Sequence, residues 1–123
     1  MDSVTKAATV KSGGNGKVKI DLLDLVRKCS DYMHQTVLFD AVISTLARPD
    51  KDSKEKVTGF MSTTAGYLCA EIKVNPEIAV SLRDRYAHQL CEINLEIEGT
   101  VIGIEKGVFM PIIDIIRWKP LEL

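Results

Sequence analysis

With 123 residues, 46% of them hydrophobic and 27% charged, the chain has the composition of one ordinary globular domain and no room for a second. No apolar run approaches the roughly 20 residues of a membrane-spanning helix, and the N-terminus lacks an apolar core ahead of a cleavage site; the expectation is a cytoplasmic protein with no membrane partner. The formal net charge of −1 conceals four lysines against one aspartate in residues 1–19, which leaves −4 on the remainder and argues against strong nonspecific nucleic-acid binding.

Residues 1–17 are small, polar and glycine-rich and lack apolar periodicity, so they read as a flexible basic tail ahead of a single domain over 18–123. Gly16-Lys17 does not make a phosphate-binding loop. Lys11 stands where the first glycine of that motif is needed, and Val18 stands where a Ser or Thr would follow. Asp21 is placed to cap a short helix with Leu22, Leu25, Val26 and Cys29 on one face, ending by Tyr32. Thr36–Thr45 is rich in β-branched and aromatic residues and reads as the first strand. The charged stretch from Asp50 to Lys56 is a solvated loop, followed by strands Val57–Met61 and Tyr67–Val74 joined through the small residues 62–66. On the third strand Leu68, Ala70, Ile72 and Val74 share one face. Asn75-Pro76-Glu77 opens a helix with a capping side chain, proline at the first position and a carboxylate facing the dipole. Ile78, Leu82, Tyr86 and Leu90 then recur every four residues.

From Cys91 to Trp118 the sequence reads as a long hairpin. Cys91, Ile93, Leu95 and Ile97 alternate with Glu92, Asn94, Glu96 and Glu98, which predicts a buried face and a wet, acidic one. Around Gly99 and Gly103 the alternation breaks, as it does where glycine admits a bulge or a sharp coil. Glu105-Lys106-Gly107 is a turn with Gly107 at a left-handed position, and Val108–Trp118 returns as the partner strand.

The three cysteines, Cys29, Cys69 and Cys91, are odd in number and form no C-x-x-C pair, which points to reduced thiols rather than disulfides or a zinc site. The two histidines, His34 and His88, lie in matching Tyr-x-His-Gln corners where a helix gives way to a strand. With no cysteine or carboxylate at ligand spacing they read as structural corners, and no metal or cofactor is implied. No carboxylate pair, Ser-His-Asp order or Cys-His pairing marks an active site. Asp40 and Asp114, set among apolar strand residues, are read as exposed-face carboxylates, and the chain reads as a non-enzyme without catalytic residues.

The order helix, three strands, helix, two strands resembles the oligonucleotide/oligosaccharide-binding (OB) superfamily, a mainly β, five-stranded Greek-key barrel with a helix between strands 3 and 4. The residues that carry the resemblance are Tyr32–Val37 leading into the first strand, the curved Glu98-Gly99-Thr100-Val101, and Phe109–Trp118. His34 and Gln35 replace the glycine and lysine common at that entry, so the likeness is one of pattern. It implies single-stranded nucleic-acid binding on the second and third strands, with Phe60, Tyr67 and Lys73 on the sheet and Arg48, Lys51, Lys54, Lys56 and Lys106 on the rim. The row Glu92, Glu96 and Glu98 would repel phosphate. The competing reading is a protein-interaction or scaffold subunit. The last strand is apolar on both faces, with Ile112, Ile116 and Trp118 on one side and Ile113 and Ile115 on the other, which would suit a protein partner or a homo-oligomer.

Overall fold

The computed structural model describes residues 19–121 apart from positions 51, 53, 108 and 109. The expected tail over 1–17, Lys51 of the charged loop and Phe109 of the last strand lie outside the described residues. The described chain is mainly β. Its elements are α1 (Leu22–Arg27), β1 (Thr36–Leu46), β2 (Val57–Ser62), β3 (Leu68–Val74), α2 (Pro76–Tyr86), β4 (Leu95–Glu105) and β5 (Met110–Pro120), with 3-10 turns at Cys29–Tyr32 and Ala87–Glu92. The strands close into an OB-like barrel in the order β1-β2-β3-β5-β4; all pairings are antiparallel except β3 with β5. Among the described residues no helix is long and apolar enough to cross a membrane.

Local chemistry accounts for most of the element ends. The Asp21 carboxylate accepts a hydrogen bond from the Leu23 N–H at 3.3 Å and caps α1 as expected. Pro76 and Glu77 open α2, but the Asn75 side chain makes no capping bond; its carbonyl receives the Ala79 N–H instead. Both Tyr-x-His-Gln corners turn through a residue with positive φ, His34 (φ 67) in the first and Ala87 (φ 52) in the second. Gly107 takes the expected left-handed turn position, φ 96.

Bulges bend the barrel and decide which apolar residues reach water. Between Gly99 and Glu98 the register slips so that Ile116 of β5 has no opposite number, and between Val101 and Gly103 it slips past Ile102 of β4. These two isoleucines are 38% and 44% exposed, while Ile113, Ile115, Ile97 and Val101 on either side of them are buried. The slip also corrects the expected grouping on β5. Trp118 lies opposite Ile97, packs against the core, and meets Tyr86 of α2 edge-on at 5.7 Å. It shares the barrel side of the strand with Ile113 and Ile115, not the outer side with Ile112.

The core is filled by Phe39, Ile43, Met61, Ile72, Leu95, Ile97, Ile113 and Ile115, with Leu25 of α1 and Leu82 of α2. Burying each such side chain is worth about 1.5–3 kcal/mol, so two short helices gain their place by covering the barrel rather than by intrinsic helicity. The expected start of the last hairpin moves. Cys91 and Glu92 belong to the 3-10 turn, and β4 begins at Leu95, because the chain leaving α2 needs those residues to turn back onto β1. With them goes the acidic row. Glu92 is off the sheet, Glu98 is buried beside Arg117 at 3.2 Å, and Glu96 is held by Lys19 at 3.0 Å and Lys119 at 3.4 Å.

Candidate nucleic-acid interface

Strand register sets out the outer face of the barrel in two rows. The first runs Thr45, Phe60, Glu71, Ile112 and Gly103 across β1, β2, β3, β5 and β4. The second runs Thr58, Lys73, Asp114 and Thr100, and Thr100 shares a 2.7 Å hydroxyl contact with Thr36. Phe60 is the aromatic of the first row and is 36% exposed, whereas Phe39 is wholly buried on β1. A flat, partly wet ring between polar neighbours can stack a base.

The face is close to electrically neutral. Lys73 donates to the Thr58 hydroxyl at 2.9 Å and pairs with Glu71 at 3.2 Å; Lys56 pairs with Asp114 at 2.7 Å. Both expected phosphate contacts from these lysines are therefore shared with carboxylates. Asp114 carries an ion pair on the outer face, and Asp40 sits 2.6 Å from Lys19. Around Lys19, burial alone would lower the ammonium's pKa, but the hydrogen bonds and charges of Asp40 and Glu96 outweigh it and hold it above its usual value. Burial would raise Glu96, and the same ammonium together with Lys119 brings it below the ordinary carboxylate range.

The expected site residues separate into groups. Lys54 and Lys56 are exposed in the β1–β2 loop, at the end of β2 where Val57 faces Val74. Tyr67 and Lys106 lie toward the other end. Tyr67 closes the β2–β3 hairpin, its N–H bound to the Thr63 hydroxyl at 3.1 Å, and it is four residues from Glu71, about 13 Å along a strand. At 66% exposure it is open to solvent but does not extend the Phe60 platform. Lys106 is exposed in the β4–β5 turn. Arg48 points elsewhere: with Arg83 and His88 it lines a groove of about 520 Å³ against α2, where the Arg83 guanidinium donates to the Leu46 carbonyl at 2.9 Å.

Of the residues expected at a protein interface, Ile113 and Ile115 are 0% and 1% exposed and belong to the core, a correction that follows from the barrel closing over them. Trp118 is packed on Tyr86. Ile112 is half-buried, and Ile116 remains open to solvent.

Sequence reasoning passed over a second feature beside Phe60. Val42, Ser44 and Ser62 floor a trough of about 390 Å³, walled by the Thr63–Gly66 turn on one side and Cys91, Glu92 and Asn94 on the other. The signal in the sequence was only the cluster Ser62-Thr63-Thr64, because the opposite wall comes from residues about thirty positions later. Among the described residues no group of three His, Cys, Asp or Glu side chains could hold a metal ion.

No known protein-family model matches the chain, and no curated protein matches it in sequence. Among solved structures it is similar to a "putative aspartyl-tRNA synthetase from Leishmania major Friedlin", with a TM-score of 0.56 and 18% identity over 93% of this chain. The match spans 22% of the length of that protein. At that identity the likeness shows a shared fold.

Proposed function

We propose that the protein is a non-enzymatic member of the OB superfamily that binds single-stranded nucleic acid weakly across the outer face of β2, β3 and β5. The observation that carries this reading is the exposed Phe60 ring on β2, with Lys73 on the neighbouring strand and Lys54 and Lys56 at the edge of the face. Stacking on one aromatic is tolerant of sequence, and lysines already paired with carboxylates add little attraction, so weak and unselective binding is the chemistry to expect. A solved structure of the same fold being described as a tRNA synthetase supports a nucleic-acid partner by analogy of fold.

The test is fluorescence anisotropy of labelled single-stranded oligomers at 50 and 200 mM salt. Binding that weakens with salt and falls roughly tenfold in Phe60→Ala supports the proposal; the loss corresponds to about 1–3 kcal/mol per stacked base. A lack of binding at 50 mM salt would reject it. The alternative, a subunit that assembles through its last strand, rests on the two exposed bulge residues Ile102 and Ile116. It predicts a self-associating protein whose assembly is lost in Ile116→Asp, and a monomer by sedimentation would remove homo-oligomerisation from that reading.

A further inference from the structure

The trough beside Phe60 differs in chemistry from the rest of the face. Its sides are hydroxyls, an amide, a thiol and one carboxylate: Ser44, Ser62, Thr64, Asn94, Cys91 and Glu92. Among the described residues no lysine or arginine lines it, and Glu92 makes it hostile to phosphate. A neutral group rich in hydroxyls suits it, since hydroxyls donate to the carboxylate and accept from the serines and the amide.

Ser62 marks the floor. It is 7% exposed, yet among the described residues its hydroxyl has no hydrogen-bond partner, whereas neighbouring hydroxyls are engaged: Ser44 donates to the Phe60 carbonyl at 3.1 Å and Thr63 accepts from the Tyr67 N–H. Opposite Val42 on β1, Ser62 stands on the outer side of the sheet, two residues along β2 from Phe60, about 7 Å. Its burial comes from the turn and the 3-10 segment that rise on either side of it. Enclosed on both sides but not sealed from solvent, this hydroxyl lines the polar hollow and can bond a ligand atom that enters it.

Resting on the nucleic-acid reading above, we infer that this trough is a ribose site, in which Ser62 and Glu92 read the 2′-hydroxyl of the nucleotide next to the base stacked on Phe60. The spacing is that of neighbouring groups on one strand, and the 2′-hydroxyl, both donor and acceptor, matches a serine below and a carboxylate beside it. The protein thereby prefers RNA to DNA although nothing on the Phe60 platform distinguishes them.

The experiment compares octamers of uridine and deoxyuridine, identical except for the 2′-hydroxyl, by anisotropy with the intact chain and with Ser62→Ala and Glu92→Gln. The expected result is RNA bound about five- to tenfold more tightly than DNA, with the ratio falling toward one in both variants. The ratio is the readout because removing the Glu92 charge changes affinity for both polymers alike. Equal binding of the two octamers by the unaltered protein, or a ratio that survives both substitutions, overturns the ribose site while leaving the Phe60 reading standing. Failure of both octamers to bind at 50 mM salt removes the two together. A parallel NMR titration with free ribose separates a strand site from a general sugar site: shifts of the Ser62 and Glu92 amides by ribose without any RNA preference would reject the inference.

Discussion

Replacing Gly59 by alanine tests the barrel geometry on which the interface depends. A Cβ at this position would sit 2.5 Å from the Thr45 carbonyl oxygen, 3.2 Å from the Leu46 Cα and 3.2 Å from the Ile72 side chain. The first two are backbone, held by the β1–β2 pairing, by the Ala47 N–H on the Thr58 carbonyl at 3.0 Å, and by Arg83 on the Leu46 carbonyl at 2.9 Å. Relief requires β1 to move outward by about 0.7 Å or more, since carbon and oxygen do not approach so closely in packed proteins. Overpacking of this kind costs about 1–3 kcal/mol, and a weakened backbone bond adds about 1 kcal/mol. Lower entropy of the unfolded alanine chain returns about 0.5 kcal/mol. The expected net loss is about 1.5–3.5 kcal/mol, or roughly 10 °C in Tm for a domain of this size. Gly103→Ala is the matched control: its Cβ would meet Ile112 at 3.6 Å, an ordinary contact, and stability should change by less than about 1 kcal/mol. Thermal and urea unfolding followed by circular dichroism give both values. If Gly59→Ala proves as stable as Gly103→Ala, β1 does not cross β2 this closely and the outer-face rows need redrawing.

Four further outcomes follow from particular groups. Ala87 carries φ 52 and ψ −130, a conformation suited to glycine, so Ala87→Gly should stabilise the protein by about 1 kcal/mol in urea unfolding; destabilisation would mean the turn is unstrained. Cys91 is exposed, whereas Cys29 and Cys69 are buried and burial pushes the Cys69 thiol up to about 11. Iodoacetamide at pH 8 should therefore add one label to the folded protein and three after denaturation, read by intact mass; fast triple labelling of the native state would contradict the packing. Because the folded Cys69 is harder to ionise than the unfolded one, its contribution is complete below about 9 and declines as pH rises toward 11. Glu96 behaves oppositely: held below its usual value, it adds stability above pH 4.5 that is lost on acidification, and Glu96→Gln should flatten that acid limb of the unfolding profile.

Local signals in the sequence were reliable where one residue type decides a conformation. Asp21 at a helix start, Pro76 at the first position of α2, Gly107 in a turn and the period-two run from Leu95 to Ile97 each act within a few residues, and each appears in the fold as expected. The glycines at 99 and 103 gave the positions of two bulges but not which strand carries the extra residue. That depends on pairing partners far apart in the chain, and it alone separates exposed Ile116 from buried Ile115 and turns Trp118 inward. Glu98 was misread for the same reason, because alternation predicts a wet face without knowing what later covers it. Of the candidate site, Phe60 and Lys73 were legible as neighbours on one face. The trough was not, since Ser62 is enclosed by residues from a turn after β2 and a 3-10 segment before β4.

Charge pairing on the outer face has a consequence for how any strand is held. Had Lys56 and Lys73 been unpaired, each phosphate they neutralised would steepen the salt dependence by about 0.7 in log units per tenfold change in salt. Instead Asp114 and Glu71 already supply their counter-charges at 2.7 and 3.2 Å, and the strand must displace a carboxylate rather than a loosely held cation. With Lys54 as the remaining lysine at that edge among the described residues, a net one or two phosphates contribute, and affinity should fall only about three- to sevenfold between 50 and 200 mM salt. On the proposed reading, such a face would gain its binding from the Phe60 ring and from hydroxyl contacts more than from charge. It should then discriminate between strands by sugar chemistry, which does not fade with salt, and hold RNA under ionic conditions that release purely electrostatic binders.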